Sequence, residues 1–186
     1  MKKFLIALSL FLLPAAVYAE DYTVDARHTF PSFEVNHMGL STQRGRFNAT
    51  SGKITLDRAA KTGSVYIEID AKTVNTGLEE LEKHLRGEDF FNVEKYPRIS
   101  FASSRVVFEE DRPSVVHGDL TLLGVTRPVT LSLSAFNCRV HPMNKKYVCG
   151  ADAAATIKRS EFGMDYAIPA VSDEVKLFIQ IEAFKN

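Results

Sequence analysis

The sequence lacks several features that mark common classes of protein. It contains no tryptophan and only two cysteines, and it has no GxSxG, Ser-x-x-Lys or HExxH motif. Nucleophilic hydrolysis is therefore not supported by any motif. Its closest two histidines are nine residues apart, whereas a zinc site is usually anchored by a close pair on one element. Its 23 basic residues balance 23 acidic ones, so bulk attraction to nucleic acid or to an anionic membrane is not expected.

Long apolar runs are scarce as well. One run, at residues 4–13, follows two lysines and precedes small residues that end at Ala19. This pattern is typical of a secretory signal peptide, which we expect to cover residues 1–19 and to be removed. No cysteine follows the run as a lipoprotein would require. We therefore expect a free protein, periplasmic or secreted, in which residues 20–186 form a single domain.

Both cysteines lie in the exported part, on either side of a polar loop at residues 141–146. Two thiols that face each other across a hairpin in an oxidising compartment favour a disulfide between Cys138 and Cys149. A metal site would need two more soft ligands, and only His141 is close in sequence. With these cysteines opposite each other, the polar face of one strand meets the less polar face of the next. This conflict predicts a β-bulge in the hairpin.

Most of the remaining chain alternates apolar and polar residues with a period of two, as in strands with one solvated face. Such segments occur at residues 22–27, 33–37, 44–49, 53–57, 65–69, 99–108, 115–123, 129–133, 147–157 and 175–181. Turn-forming residues separate them. Eight or more antiparallel strands predict an all-β protein, either a closed barrel or a sandwich.

One stretch departs from this alternation and predicts a short helix over about 77–86. Three leucines fall on one face of it at helical spacing: Leu78, Leu81 and Leu85. Thr76 and Glu79 match a capping box, and basic residues end the segment. Because an isolated helix of this length is marginal in water, we expect its leucines to lie on the open end of a barrel.

Side-chain sizes raise the question of whether the barrel is filled. Several strands are rich in phenylalanine, whereas residues 151–155 are nearly all alanine. Eight strands enclose a space that side chains can just fill or that can hold one ligand. Small residues opposite large aromatic ones favour a cavity, but the same alanines would also balance the phenylalanines in a filled core. The residues alone leave both interpretations open.

Two further features allow alternative interpretations. Folding of a barrel could bring His28, His37 and His117 together as metal ligands, although histidines hydrogen-bonded at strand ends are the commoner arrangement. Residues 160–164 form an apolar loop in a chain whose other loops are polar. Such a loop either caps a core or forms the rim of an apolar pocket.

A series of short motifs runs through most of the chain in a characteristic order. The most specific are Gly118-Asp119-Leu120-Thr121 and the segment from Gly124 to Val129. Others lie at residues 25–29, 33–37, 45–47, 76–77, 84–85, 89–91, 96–101, 159–163 and 171–175. Together they resemble the YceI-like family. At Leu81 and Glu82 the chain departs from the Arg-Asp pair that family members often carry before His-Leu.

The resemblance implies an extended lipocalin-like fold, an eight-stranded antiparallel barrel whose apolar tunnel is capped by the short helix. It implies an exported binding protein, not an enzyme, that holds a polyprenyl lipid or an isoprenoid quinone such as ubiquinone for transport or storage. The bound lipid is the expected ligand, with no other cofactor, no metal and no nucleic acid, and transient contact with a membrane or membrane protein is compatible with this role. The alternatives are a small hydrolase or isomerase with a histidine at the barrel mouth and an interaction module with a filled barrel.

Strand faces and the resemblance together predict the residues of the site. Those expected to line the tunnel are Phe33, Val35, Phe47, Ile67, Ile69, Leu81, Leu85, Phe90, Phe91, Phe101, Phe162 and Met164. Those expected at the mouth, where a head group would lie, are His28, His37, His84 and Arg159.

Overall fold

The computed structural model describes residues 19–186, so the predicted signal peptide lies outside them except for Ala19. The strands are β1 (Glu20–Val24), β2 (Phe30–His37), β3 (Ser41–Phe47), β4 (Thr50–Asp57), β5 (Thr62–Asp70), β6 (Val74–Asn75), β7 (Arg98–Glu109), β8 (Arg112–Leu122), β9 (Val125–Val140), β10 (Tyr147–Lys158) and β11 (Val171–Lys185). The described helices are α1 (Glu79–Arg86) and two 3₁₀ helices, Ala71–Thr73 and Arg159–Phe162. No helix in the described part of the chain is both long and apolar enough to cross a membrane.

These eleven segments build eight barrel strands, because three pairs of segments each behave as one bent strand. β1 and β2 both pair with β11. On their other side, β1 pairs with β4 and β2 pairs with β3. β5 and β6 then pair with β4 and β3 in turn. β11 pairs with β10 on one side and with β1 and β2 on the other, which closes the ring. All of these pairings are antiparallel, so the predicted eight-stranded barrel is confirmed.

The two ends of the barrel carry different elements. One end, here called the helix end, carries α1, the β2–β3 turn and the 3₁₀ helix Arg159–Phe162. The other, here called the disulfide end, carries the β4–β5, β7–β8 and β9–β10 turns. Because neighbouring strands are antiparallel, successive connections alternate between these ends.

The β9–β10 hairpin contains both the disulfide and the β-bulge that the sequence predicts. Cys138 and Cys149 are paired across the strands and are covalently linked. Farther along, Asp152 pairs with Ala135 but Ala153 pairs with Leu133. The extra residue on β9 resolves the conflict between the two faces, since apolar side chains on both sides of the bulge can then point inward.

Beyond the bulge, β9 and β10 separate toward the helix end. Their pairing stops at Ser132 and Ala154, although both strands continue past these residues. Phe162, from the 3₁₀ helix that follows β10, is buried in the core and borders a groove between the two strands. We call this gap, bounded by residues 125–131 and 155–158 and occupied by Phe162, the β9–β10 seam.

The start of α1 is held differently from the sequence prediction. The helix begins at Glu79, and the expected capping box of Thr76 with Glu79 is wrong, because no side chain caps its first residue. Instead, Glu82 Oε1 accepts hydrogen bonds from the backbone N–H groups of Thr76 (2.8 Å) and Gly77 (3.0 Å) and from the Asn75 side chain (2.9 Å). Glu82 therefore attaches α1 to β6.

The three leucines of the α1 region do not share one environment. Leu85 is buried, and Leu81 is partly buried against the core. Leu78 precedes the helix with extended backbone and is largely exposed. Its expected place on the inward face is therefore wrong, because helical spacing applies only to residues inside the helix.

Candidate functional site

The barrel encloses an apolar cavity of about 250 Å³, measured as the space open to the centre of a water molecule. A single water needs only ~10–15 Å³ by this measure, so the barrel is not filled by its own side chains. Among the described residues that line the cavity, Arg159 is the one with a charged side chain. The filled core that the sequence also allowed is not what the structure shows.

Alternate residues of each strand build the cavity wall, and β11 is the clearest case. Its lining residues are Val171, Val175, Leu177, Ile179, Ile181 and Ala183. Leu177 and Ile179 face inward yet are only partly buried. Their remaining exposed surface is what an unfilled interior leaves uncovered.

The cavity lies nearer to one side of the barrel. On β7 and β8 all the lining side chains are buried: Ile99, Phe101, Val106, Pro113, Val116, Leu120 and Leu122. On β11, which lies opposite β7 in the ring, the inward residues Leu177 and Ile179 are only partly buried, and the neighbouring β10 contributes the small side chains of Ala151 and Ala153. The alanine strand therefore borders open space.

Large aromatic rings shape the wall near the helix end. Phe33, Phe47 and Phe91 form a cluster with ring centroids 5.3–6.3 Å apart. The Phe33 ring lies against Gly45 so closely that a Cβ there would overlap it. The glycine therefore decides where this ring can sit.

The structure brings together ten of the twelve residues predicted to line the tunnel. Phe33, Val35, Phe47, Ile67, Ile69, Leu85, Phe90, Phe91, Phe101 and Met164 all contact the cavity. Leu81 packs against the core from α1, and Phe162 lies in the β9–β10 seam; neither is on the wall.

The four residues predicted at the mouth are not all near one another. His84 lies on α1, with Nε2 3.1 Å from Asp89 Oδ2 and its ring edge-on to Phe90. His37 ends β2 at the same end of the barrel. His28 lies between β1 and β2, near Glu182 on β11, and therefore toward the disulfide end.

Arg159 is 3% exposed and is held entirely by backbone oxygens. Its guanidinium donates to the carbonyl groups of Met164, Tyr166, Val171 and Ser172 at 2.8–3.1 Å. Burial lowers the pKa of Arg159 from its ordinary value, but a guanidinium stays protonated in proteins. The arrangement fixes the loop of residues 163–171 against the cavity.

Asp25, His28 and Glu182 form a cluster whose potential ligand atoms lie within 4.8 Å of one another. Asp25 Oδ2 is 2.8 Å from His28 Nδ1, and its Oδ1 accepts from the backbone and side chain of Arg27. Burial alone would raise the pKa of Asp25, but these hydrogen bonds outweigh it and lower the pKa. The carboxylate is thus already satisfied, and the cluster joins the bend between β1 and β2 to β11.

The histidines that barrel folding was expected to gather do not converge. His117 lies on β8, where its ring nitrogens contact Arg105 and Thr130. The cluster at His28 contains neither His37 nor His117. A site made of these three histidines is therefore absent from the described residues.

Sequence analysis missed the residues that close the cavity at the disulfide end. We call this set the floor; it consists of Tyr22, Leu56, Pro113, Cys149 and Ala183, all buried. Three wall residues at the helix end, Val35, Phe90 and Val171, are only partly buried. A period-two pattern within a closed ring could have indicated the floor, since every strand must then contribute inward residues at both ends.

Comparisons with known proteins agree with this architecture. A family model described as the YceI-like domain matches residues 22–183. A UPF0312 protein of Shewanella denitrificans is 35% identical over 192 residues, covering all of both chains. A UPF0312 protein of Pseudomonas aeruginosa is 34% identical with the same coverage.

Solved structures share the barrel. BcnA of Burkholderia cenocepacia matches with a TM-score of 0.71 at 24% identity, over 86% of this chain and 98% of BcnA. A polyisoprenoid binding domain from Saccharophagus degradans, implicated in plant cell wall breakdown, matches with a TM-score of 0.64 at 17% identity, over 89% and 98%. Since the family model also spans nearly all of the described residues, the chain belongs to the YceI-like family.

Proposed function

We propose that this protein holds the chain of a long isoprenoid lipid, a polyprenyl lipid or an isoprenoid quinone such as ubiquinone, inside its barrel. The observation that carries the proposal is the cavity, which extends from α1 to the floor with a wall of almost purely apolar side chains. Its likeness in fold to a polyisoprenoid binding domain supports an isoprenoid chain as the occupant.

The physical chemistry of the wall suits such a ligand. Removing one methylene group from water contributes ~0.8 kcal/mol. Burial of its apolar surface can therefore bind a long hydrocarbon without specific polar contacts. Discrimination then falls to the few polar groups at the helix end. His37 and His84 are the head-group candidates there, whereas His28 is remote and Arg159 has four of its five N–H groups bound to carbonyls.

The proposed role is transport or storage without catalysis. Among the described residues, the cavity wall presents no carboxylate, no imidazole and no free thiol. The signal peptide expected at residues 1–19 and the disulfide both support an exported, oxidising location such as the periplasm.

Native mass spectrometry of the freshly purified mature protein tests the proposal. We expect an added mass that corresponds to one isoprenoid lipid, which solvent extraction and fragmentation would then identify. The protein emptied of ligand should also take up added ubiquinone.

Two neighbouring alanines provide a matched pair of variants. Ala153 lines the cavity, whereas Ala154 is absent from the wall and pairs with the outward-facing Phe178. Ala153→Phe should reduce uptake because the new ring occupies the cavity, and Ala154→Phe should not. The proposal fails if no apolar ligand co-purifies and no added ubiquinone is taken up, or if both variants behave alike.

A further inference from the structure

Large apolar side chains are exposed at the helix end. Of the eight such side chains exposed on the described surface, four belong to loops at this end. Leu40 is 80% exposed and Met38 is 59% exposed, and Leu78 and Tyr166 are about half exposed. We call these four residues the apolar rim.

The tip of the rim is an ordered turn. Leu40 N–H donates to His37 O at 2.9 Å, and the two central residues, Met38 and Gly39, have φ angles of 57° and 71°. Two consecutive positive φ angles under such a hydrogen bond are features of a type I′ turn, in which glycine removes the strain at one of the two left-handed positions. Met38 N–H also donates to Ala170 O at 2.7 Å. The exposed side chains are thus held outward by a fixed backbone.

The rim is continuous with the cavity wall. The Tyr166 ring lies 5.4 Å from the Phe90 ring, and Phe90 lines the cavity. Ala170, which anchors Met38, directly precedes the lining residue Val171. An apolar path therefore leads from the outside of the helix end to the interior.

The charges around the rim restrict the partner. Residues 36–43 and 166–172 contain no Asp, Glu, Lys or Arg. The exposed acidic residues next to the rim, which are Glu79, Glu80, Asp89 and Asp165, outnumber the exposed basic residues there, Lys83 and Arg44. An anionic surface would be repelled by these carboxylates, whereas an uncharged apolar surface fits the central segments.

We propose that the apolar rim docks on the surface of a zwitterionic lipid bilayer. This inference rests on the proposed function and names the partner from which the lipid enters or to which it leaves. Protruding apolar side chains insert into a bilayer interface, and their binding strength grows with the apolar area buried. Docking at the helix end lets an isoprenoid chain pass between bilayer and cavity without crossing water.

The disulfide end provides the matched control surface. Met143 is 85% exposed there, more than any rim residue. It lies in the β9–β10 loop beside Lys145 and Lys146, and it does not line the cavity. Exposed apolar side chains therefore exist at both ends, including Val140 and Met143 at the disulfide end, but among the described residues only the helix end connects them to the cavity.

The absence of tryptophan allows a direct test with one reporter at each end. Leu40→Trp and Met143→Trp would each be mixed with vesicles of phosphatidylcholine and phosphatidylethanolamine that contain no isoprenoid. We expect a blue shift and quenching by brominated lipid for Leu40→Trp only. Equal signals at both ends, or none at Leu40→Trp, would overturn the inference.

A second variant measures how much the rim contributes. Met38→Asp combined with Leu40→Asp should weaken co-flotation with these vesicles by roughly tenfold or more, since charge replaces the inserted apolar area. Added phosphatidylglycerol should not strengthen binding. Binding that rises with phosphatidylglycerol and falls with salt, or that requires a membrane protein, would assign the docking to another surface or partner and contradict the inference.

Failure of docking and failure of the proposed function are separable. Retention of co-purified lipid by Met38→Asp with Leu40→Asp is measured by native mass spectrometry without vesicles. Retained lipid without vesicle binding is the expected outcome for this variant. Vesicle binding by the wild-type protein that never contains lipid would contradict the proposed function while leaving the docking surface in place.

Discussion

The two ends of the barrel are closed in different ways. At the disulfide end, the buried floor packs beside a covalent link between β9 and β10. At the helix end, α1 is attached through hydrogen bonds to Glu82, and the loop of residues 163–171 is held through Arg159. Packed side chains and a disulfide keep an end closed, whereas hydrogen-bonded attachments can open without unfolding the strands. We therefore expect stability to reside mainly at one end and, under the proposed function, exchange of ligand to occur at the other.

The largest expected effect comes from removing the centre of the floor. Tyr22 is 2% exposed, so Tyr22→Ala should lower the free energy of unfolding by about 3–5 kcal/mol through lost burial and a new cavity. Urea unfolding followed by circular dichroism measures this. Tyr166→Ala, at the half-exposed rim, is the control and should cost much less; equal losses would contradict the assigned roles of the two ends.

The disulfide should give the next largest effect. Replacing both Cys138 and Cys149 with alanine should lower the free energy of unfolding by slightly less than ~3 kcal/mol, because the closed loop is short. Lipid retention should fall less than stability, since Cys149→Ala shortens one small side chain of the floor and the helix end is untouched. A large loss of bound lipid with an unchanged free energy of unfolding would contradict the roles assigned to the two ends.

A charge on the inward face of α1 tests whether this helix retains the bound lipid. Leu85 is buried on the cavity wall, and Leu85→Asp should speed the release of bound lipid by roughly tenfold, or ~1.4 kcal/mol. Leu78→Asp, at an exposed position of the same segment, is the matched control. If circular dichroism shows the whole barrel melting in Leu85→Asp, then α1 is part of the core and not a separable lid.

The smallest effect concerns pH. At the helix end, the backbone N–H and then the hydroxyl of Ser160 donate to Asp173 and lower the pKa of its carboxyl group. At the disulfide end, hydrogen bonds from Lys185 and then Tyr22 lower the pKa of Glu20. A lowered pKa in the folded state stabilises the fold above the ordinary carboxyl pKa, and this stability is lost as pH falls through the lowered value.

Acidification should therefore loosen both ends slightly, by a few tenths of a kcal/mol for such partly exposed pairs. Asp173→Asn should remove this response at the helix end only. Amide hydrogen exchange of Ser160, compared between pH 6 and pH 3 (roughly either side of the carboxyl range), measures it. An unchanged pH response in the variant would show that Asp173 is not its source.

Much of the fold could be predicted because it depends on local patterns. The period-two segments identify the strands, and the mismatch around Cys138 identifies the bulge, since each follows from the alternation of side chains. The cap of α1 could not be predicted in the same way. Thr76 and Glu79 satisfy the local rule, but Glu82 accepts the Thr76 N–H instead of Glu79 once β6 places Asn75 beside it.

The site was predictable in kind and less so in detail. Residues such as Phe33 and Ile67 line the cavity because their inward face follows from strand alternation. Phe162 does not, because the separation of β9 from β10 creates a place for its ring outside the wall. The off-centre cavity likewise depends on which strands meet when the ring closes, which the sequence of any single strand does not contain.

The buried floor also limits the depth of the cavity. Along β11 the regularly paired part of the wall runs from Val175 to Ala183, a distance of ~26 Å at ~3.3 Å per residue. A chain that enters past α1 is covered only to this depth, and every further repeating unit must fold back or stay outside. Under the proposed function, the side chain of Tyr22 thus sets the length of hydrocarbon that the protein would shield.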